Sequence, residues 1–225
     1  MARGGDLDGF WRCALPFFGL ATRLLFRLRV SGAEHVPTSG GALLASNHLS
    51  SLDGVVLAVA TARGVRRRTR FLVAAEFFAN RVYAPLLRGS GQIPIHRGAR
   101  DLGALAEARA TLEAGALAGI YPEGGVAEFP DRGIRPGKSG AARLALATGV
   151  PVVPIGIWGT QLRWPYHGFS FHRPWRPTVA LCYGTPIRPE GKVDDVNDLN
   201  RCTDRIMAGV AEEFARARAI AEGAR

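Results

Sequence analysis

The stretch Gly41 to Ala62, GALLASNHLSSLDGVVLAVATA, joins a short apolar run to a helical pattern through a polar turn. Gly41 to Ser46 has the length and apolar character of a buried strand, and Leu52 to Ala62 shows the apolar recurrence of a helix. Strands that alternate with helices are typical of α/β folds. Such folds commonly bind ligands where a strand ends and a helix begins, so the polar turn is a candidate site.

The same alternation continues along the chain. Further strands are predicted at Phe71 to Ala74, Gln92 to Ile95, Leu117 to Tyr121, Val152 to Trp158 and Thr178 to Tyr183. Further helices are predicted at Asp101 to Ala114, Lys138 to Thr148 (with Gly149 as its C-cap) and Leu199 to Ala219. We therefore expect one α/β domain with a largely parallel or mixed central sheet flanked by helices. The stretch from Pro122 to Gly137 reads as a long irregular loop, which in compact domains is usually functional or disordered.

The N-terminal segment fits two roles. Phe10 to Leu28 mixes bulky apolar residues with arginines, as does a helix that lies in a membrane interface. Arginines interrupt the segment, so its uncharged run is too short to span a bilayer. An ordinary helix packed on the core would show the same pattern. We assign residues 1–30 to an N-terminal membrane-associating helical segment and residues 31–225 to the main domain.

The charge of the chain predicts an anionic partner. The formal net charge is +10, and almost all of the excess is arginine, since the lysines are Lys138 and Lys192. Arginine suits phosphate oxygens, which leaves lipid headgroups, nucleotide phosphates, acidic carrier proteins and nucleic acid open. A basic surface patch is predicted at Arg63, Arg66, Arg67, Arg68 and Arg70, although a solvated charged turn fits the same cluster. No nucleic-acid-reading motif or interleaved aromatic platform appears, so we expect no nucleic acid as partner.

The cysteines indicate the compartment. Cys13, Cys182 and Cys202 are odd in number and widely spaced, without a metal-binding pattern, and the histidines have no spacing that requires a metal. We expect no metal site and no disulfide, which fits a reducing cytosol.

The residues best suited to catalysis are His48 and Asp53. Five positions in a continuous helix turn about 140 degrees, so a break is needed for the two side chains to meet. If the helix begins near Ser50 or Ser51, Asp53 can accept a hydrogen bond from one ring nitrogen of His48 and leave the other nitrogen basic. A capped helix with a surface aspartate fits the same spacing. No Gly-x-Ser-x-Gly elbow is present, so both serines are interpreted as capping or packing residues.

Four short blocks occur in a characteristic order. They are Asn47 to Asp53 (Asn-His-x4-Asp), Gly91 to Arg97 (Gly-x-Ile-x-Ile-x-Arg), Tyr121 to Val126 (compare Phe-Pro-Glu-Gly-Thr-Arg) and Val150 to Pro154 (Val-Pro-x-x-Pro). In this order the blocks resemble the glycerolipid acyltransferase family, which includes the 1-acyl-sn-glycerol-3-phosphate acyltransferases. The third block departs from the family pattern, because Gly125 and Val126 stand where the family has Thr and Arg.

The resemblance implies an acyltransferase domain over residues 31–225. It implies transfer of a fatty acyl group from acyl-CoA or acyl carrier protein to the free hydroxyl of lysophosphatidate, in phospholipid synthesis at the cytoplasmic face of the cell membrane, with the protein peripheral or monotopic. A hydroxyl needs a base, whereas a thioester is already activated. His48 is therefore the predicted general base and Asp53 its orienting partner, with no cofactor, metal or covalent serine.

The remaining candidate residues are predicted to form the binding site of the acceptor. Arg97 ends a strand that would bring it to the same sheet edge, where it can bind phosphate bidentately. By the resemblance, Glu123 and Gly124 belong to the acceptor site. Arg135 and Lys138 can supply the cation that the third block lacks, near the free backbone donors of a helix N-terminus. The altered third block leaves another lysophospholipid, a glycolipid or an aminolipid open as acceptor, and a non-catalytic lipid-binding protein open as a function.

Overall fold

The computed structural model describes residues 7–96, 101–166, 168, 170 and 174–223. One sheet contains the seven strands of the described chain, which are β1 (Arg27–Ser31), β2 (Ala42–Ser46), β3 (Thr69–Ala74), β4 (Ile93–Ile95), β5 (Leu117–Ile120), β6 (Val152–Trp158) and β7 (Thr178–Tyr183). The helices are α1 (Gly9–Leu25), α2 (Asp53–Val65), α3 (Glu76–Ala79), α4 (Tyr83–Gly89), α5 (Leu102–Glu113), α6 (Gly140–Thr148) and α7 (Val196–Gly223). Short 3-10 turns lie at Ala33–His35, Pro130–Arg132 and Thr160–Leu162.

The sheet is mixed, with the strand order β1-β7-β6-β2-β5-β3-β4. Strands β6, β2, β5, β3 and β4 run parallel to one another, whereas β7 is antiparallel to β6 and β1 is parallel to β7. Helices α1 and α2 pack on one face of the sheet, and α5, α6 and α7 pack on the other. The prediction of a single α/β domain with a largely parallel or mixed sheet is confirmed.

Several predicted boundaries were wrong for identifiable reasons. The predicted N-terminal helix extended to Leu28, but α1 ends at Leu25 because the following residues pair with β7 as strand β1, which had not been predicted. The short helices α3 and α4 were also missed. Helix α2 begins at Asp53 rather than near Ser50 or Ser51. The reason is that the Asp53 carboxylate accepts hydrogen bonds from the backbone of the preceding turn, which holds that turn outside the helix.

Helix α1 packs on the domain with one face and exposes apolar side chains on another. It buries Trp11, Gly19 and Thr22 against the domain, while Phe17, Leu20 and Leu24 are exposed. No helix in the described ranges is both long enough and apolar enough to cross a membrane.

Candidate active site

The candidate site lies at the carboxyl ends of β2, β5 and β6, which are neighbours in the sheet. His48 follows β2, Glu123 follows β5 and Thr160 follows β6. Side chains that follow adjacent parallel strands come together at one sheet edge. Three segments that are distant in sequence therefore converge on the turn between β2 and α2.

His48 and Asp53 are directly hydrogen-bonded. His48 Nδ1 and Asp53 Oδ2 lie 2.9 Å apart, and their side chains are 15% and 1% exposed. Because an ionised carboxylate only accepts hydrogen bonds, Nδ1 carries the proton and Nε2 has a free lone pair in this arrangement. The interruption of the helix that the spacing required is present, because α2 begins only at Asp53, and the imidazole stays partly exposed.

The buried Asp53 carboxylate is fixed by donors at both oxygens. Oδ2 also accepts from the backbone N–H groups of Leu49, at 2.6 Å, and Ser50, at 2.9 Å. Oδ1 accepts from the Thr160 hydroxyl at 2.5 Å. A buried charge is stable only where such donors replace water. The turn and the end of β6 therefore hold the carboxylate in place for His48.

Asn47 attaches the turn to β6. Its Oδ1 accepts from Ile157 N–H at 2.8 Å, and its Nδ2 donates to Ile157 C=O at 3.0 Å. The side-chain amide thus pairs with a strand residue as another strand would, and it is fully buried. This explains why the residue before His48 carries a carboxamide.

Glu123 connects His48 to the long loop. Its Oε1 accepts from His48 N–H at 3.0 Å, and its Oε2 accepts from the backbone N–H and the side-chain Nε of Arg135 at 3.0 and 3.2 Å. Arg135 Nη2 also donates to Gly125 C=O. From the far side of the loop, Ala127 N–H donates to His48 C=O at 2.7 Å. The 122–137 loop is thus bonded to both backbone groups of His48.

Lys138 lies beside the third block. Its backbone N–H donates to Pro122 C=O at 2.8 Å. A Cβ at Gly124, where φ is +75°, would fall 2.7 Å from Lys138 Nζ. The left-handed backbone favours glycine at this position, and the end of the Lys138 side chain lies against it. Lys138 and Arg135 are both exposed next to Glu123 and Gly124, so the structure brings four of the predicted acceptor residues together.

The fifth predicted acceptor residue, Arg97, lies outside the described residues, so its role stays a prediction.

The predicted basic surface patch needs correction. Arg67 is 2% exposed, because its guanidinium donates to the carbonyls of Pro37 and Gly115. Within the same cluster, Arg68 pairs with Asp8, and Arg70 pairs with Glu107. Much of this charge is therefore engaged within the protein.

Two functional features were missed from the sequence. Thr160 belongs to none of the four blocks, and only the fold brings its hydroxyl to Asp53. Tyr121 was noted only as a member of the third block, yet its ring stacks on His48 with centroids 3.9 Å apart. Its position directly before Pro-Glu-Gly was the available signal.

Within the described residues, no group of three or more His, Cys, Asp or Glu side chains is arranged to hold a metal ion.

Comparison with known proteins agrees with this architecture. The sequence model of the acyltransferase family matches residues 27–158. An uncharacterised protein of Mycobacterium leprae is 33% identical over 159 residues, which are 67% of this chain and 41% of that protein. A chloroplastic 1-acyl-sn-glycerol-3-phosphate acyltransferase of Brassica napus is 28% identical over 138 residues, which are 60% of this chain and 38% of that enzyme. The chain thus spans about two fifths of the length of these relatives.

A solved structure shares the fold. The 1-acyl-sn-glycerophosphate (LPA) acyltransferase PlsC of Thermotoga maritima matches with a TM-score of 0.72 at 24% identity, over 92% of this chain and 79% of that one. The family match covers the strands and the turn that build the site, so the chain belongs to the acyltransferase family. Its fold is that of PlsC.

Proposed function

We propose that this protein is an O-acyltransferase that transfers a fatty acyl group from acyl-CoA or acyl carrier protein to the free hydroxyl of lysophosphatidate. The observation that carries the proposal is the hydrogen bond of 2.9 Å between His48 and Asp53. Asp53 orients the imidazole, and Nε2 serves as the general base. Membership of the acyltransferase family supports the class of reaction.

The proposed reaction is a direct attack without a covalent enzyme intermediate. Nε2 of His48 takes the proton from the acceptor hydroxyl as its oxygen forms a bond to the thioester carbonyl carbon. The tetrahedral intermediate then collapses, the carbon–sulfur bond breaks, and the imidazolium returns the proton to the departing thiolate. General base catalysis contributes about 10²- to 10⁴-fold to such steps, and holding both substrates in line contributes further.

In this proposal, Arg135 and Lys138 bind the phosphate of the acceptor. They are exposed cations beside Gly125 and Val126, where the family pattern has a hydroxyl and an arginine. Glu123 contributes by holding Arg135 through Oε2, while its Oε1 accepts from the backbone N–H of His48. Both oxygens are therefore engaged by protein donors. Arg97 is proposed as a further phosphate ligand from the sequence alone.

The proposed acceptor is a membrane lipid, which requires access to a membrane surface. The exposed face of α1 carries Phe17, Leu20 and Leu24, and Arg12 and Arg23 are exposed on the same helix. Apolar side chains next to arginines suit the boundary between acyl chains and anionic headgroups. We place this face on the cytoplasmic surface of the cell membrane. Phe17→Ser with Leu24→Ser should reduce cosedimentation with phosphatidylglycerol vesicles, whereas wild-type binding by this variant would contradict the assignment.

An acceptor panel tests the reaction. Labelled acyl-CoA and acyl carrier protein are each offered with lysophosphatidate, another lysophospholipid, a glycolipid and an aminolipid. Preferred acylation of lysophosphatidate supports the proposal in full. Preferred acylation of another lipid hydroxyl keeps the mechanism and replaces the acceptor. No transfer to any member, by folded protein with either donor, would overturn the proposed function.

A further inference from the structure

Two aromatic rings, those of Tyr121 and Phe71, lie in succession behind the imidazole of His48. The Tyr121 ring stacks on His48 with a centroid distance of 3.9 Å and an interplanar angle of 11°. Phe71 lies against Tyr121 at 5.7 Å and 15°. We call these three residues the aromatic stack. The three ring planes are nearly parallel, and the outermost ring is the proposed catalytic base.

The aromatic stack depends on the absence of a side chain at Gly119 in β5. Gly119 and Tyr121 are two positions apart and so point to the same face of the sheet. Phe71 is the register partner of Gly119 on β3. A Cβ at position 119 would lie 2.3 Å from Phe71 Cε1, a distance that no packed atoms tolerate. The missing side chain lets the Phe71 ring, which is 2% exposed, lie across β5 behind Tyr121.

The hydrogen bond that His48 donates to Asp53 leaves one motion of the imidazole uncontrolled. It fixes the position of Nδ1, but a single bond does not stop the imidazole from tilting about the line between Nδ1 and Oδ2. A base must present its nitrogen within hydrogen-bond reach of the proton it removes. The face of Tyr121 blocks this tilt on one side, and Phe71 supports Tyr121 from behind.

We propose that Tyr121 is a positioning residue that fixes the plane of the His48 ring and thereby aims Nε2 at the acceptor hydroxyl, an inference that rests on the proposed function. The stacked ring also suits the charge that develops during the reaction. A cation over the face of an aromatic ring is attracted by the electron-rich face of that ring, and the imidazolium forms against that face.

The ring of Tyr121, and not its hydroxyl, performs this role. Among the described residues, the buried hydroxyl oxygen has no hydrogen-bond partner. Burial raises the pKa of Tyr121 well above its ordinary value, and the charges of Asp53 and Tyr183 raise it further. The phenol therefore stays protonated at neutral pH and does not exchange protons with substrate.

The kinetics of two substitutions separate the role of the Tyr121 ring from that of its hydroxyl. Tyr121→Phe keeps the ring and removes the hydroxyl, so kcat should stay within about twofold of wild type. Tyr121→Leu removes the ring, and kcat should fall about tenfold or more, since small misplacements of a reacting group cost up to about 10²-fold. KM for both substrates should change little, because Tyr121 lies behind the base.

Phe214→Leu is the matched control. Phe214 is a buried aromatic residue on α7, the helix that packs on the opposite face of the sheet. Its ring contacts that of Trp158 edge-on. This substitution also deletes buried aromatic packing, so it should lower stability by a similar amount and leave kcat unchanged. An equal fall of kcat in this control would mean that Tyr121 acts only through stability and would overturn the proposal.

Nuclear magnetic resonance tests the geometry independently of turnover. A stacked ring shifts the His48 ring C–H resonances upfield, and these resonances are assigned by their absence in His48→Ala. The upfield shift should persist in Tyr121→Phe and disappear in Tyr121→Leu. Wild-type kcat in Tyr121→Leu would overturn the role of the stack alone, whereas absence of transfer by the wild-type chain would overturn the proposed function itself.

Discussion

Thr160 donates a hydrogen bond of 2.5 Å to Asp53, although 107 positions separate the two residues in the chain. The bond joins the end of β6 to the start of α2 and engages the carboxylate oxygen that does not contact His48. It prevents the carboxylate from rotating while its other oxygen accepts from Nδ1. A residue outside every sequence block therefore completes the support of the proposed base.

Thr160→Val should lower kcat about tenfold. The substitution keeps the shape of the side chain and removes the donor, which leaves one oxygen of a buried carboxylate without its partner at a cost of roughly 1–3 kcal/mol. Steady-state kinetics with acyl-CoA and lysophosphatidate measure the effect. Thr160→Ser is the control, because it restores the hydroxyl and should recover most of the activity. Equal activity in Thr160→Val and wild type would contradict this role.

Asn47→Ala should lower the free energy of unfolding by about 2–4 kcal/mol, since it leaves the buried N–H and C=O of Ile157 unpaired and each such group costs roughly 1–3 kcal/mol. Urea denaturation followed by circular dichroism measures this as a lower midpoint with an unchanged slope. Ser51→Ala, at an exposed position, should stay within about 0.5 kcal/mol of wild type. A loss below about 1 kcal/mol in Asn47→Ala would argue against the amide as the link to β6.

Lys138→Ala should raise KM for lysophosphatidate about tenfold, because one charged contact to phosphate is worth about 1.4 kcal/mol or more. KM for a monoacylglycerol, which lacks the phosphate, should not change. Lys192→Ala removes the other lysine of the chain, at an exposed position outside the site, and should change neither value. An equal rise of KM for both acceptors would show that Lys138 acts on the loop and not on the phosphate.

Restoring the family residues should rescue the Lys138→Ala variant. A Cβ at Gly125 meets no atom within 4 Å, so Gly125→Thr fits, and Val126→Arg supplies the missing cation next to it. The triple variant should recover a low KM for lysophosphatidate, measured in the same assay. Failure to recover, with the fold intact, would mean that the altered block does not face the phosphate.

The sequence predicted the alternation of strands and helices because buried parallel strands form continuous apolar runs. It missed β1, where arginines alternate with apolar residues on an exposed edge strand. It predicted that His48 and Asp53 need a break between them, but not that Asp53 itself begins α2. That start follows from the hydrogen bonds of its carboxylate to Leu49 and Ser50, which no propensity scale contains.

Contacts between distant segments explain the other features that the sequence did not predict. Arg67 looked like a surface charge, because in sequence nothing distinguishes it from its neighbours, but two carbonyls from separate loops satisfy it inside the protein. Thr160 and Phe71 likewise acquire their roles only when β6 and β3 take their places in the sheet. Local patterns indicated the elements and the candidate catalytic pair, and the three-dimensional fold supplied the contacts that hold them.

The most direct test of the central claim is the kcat of His48→Ala and of Asp53→Asn for acyl transfer from acyl-CoA to the preferred lipid acceptor. Both proteins are first shown to be folded by circular dichroism. The account predicts that His48→Ala loses at least about 10²-fold, the usual contribution of a general base, and that Asp53→Asn is strongly impaired because an amide cannot hold the required tautomer. Activity within a few-fold of wild type in either folded variant would contradict the assignment of His48 as the base and Asp53 as its orienting partner.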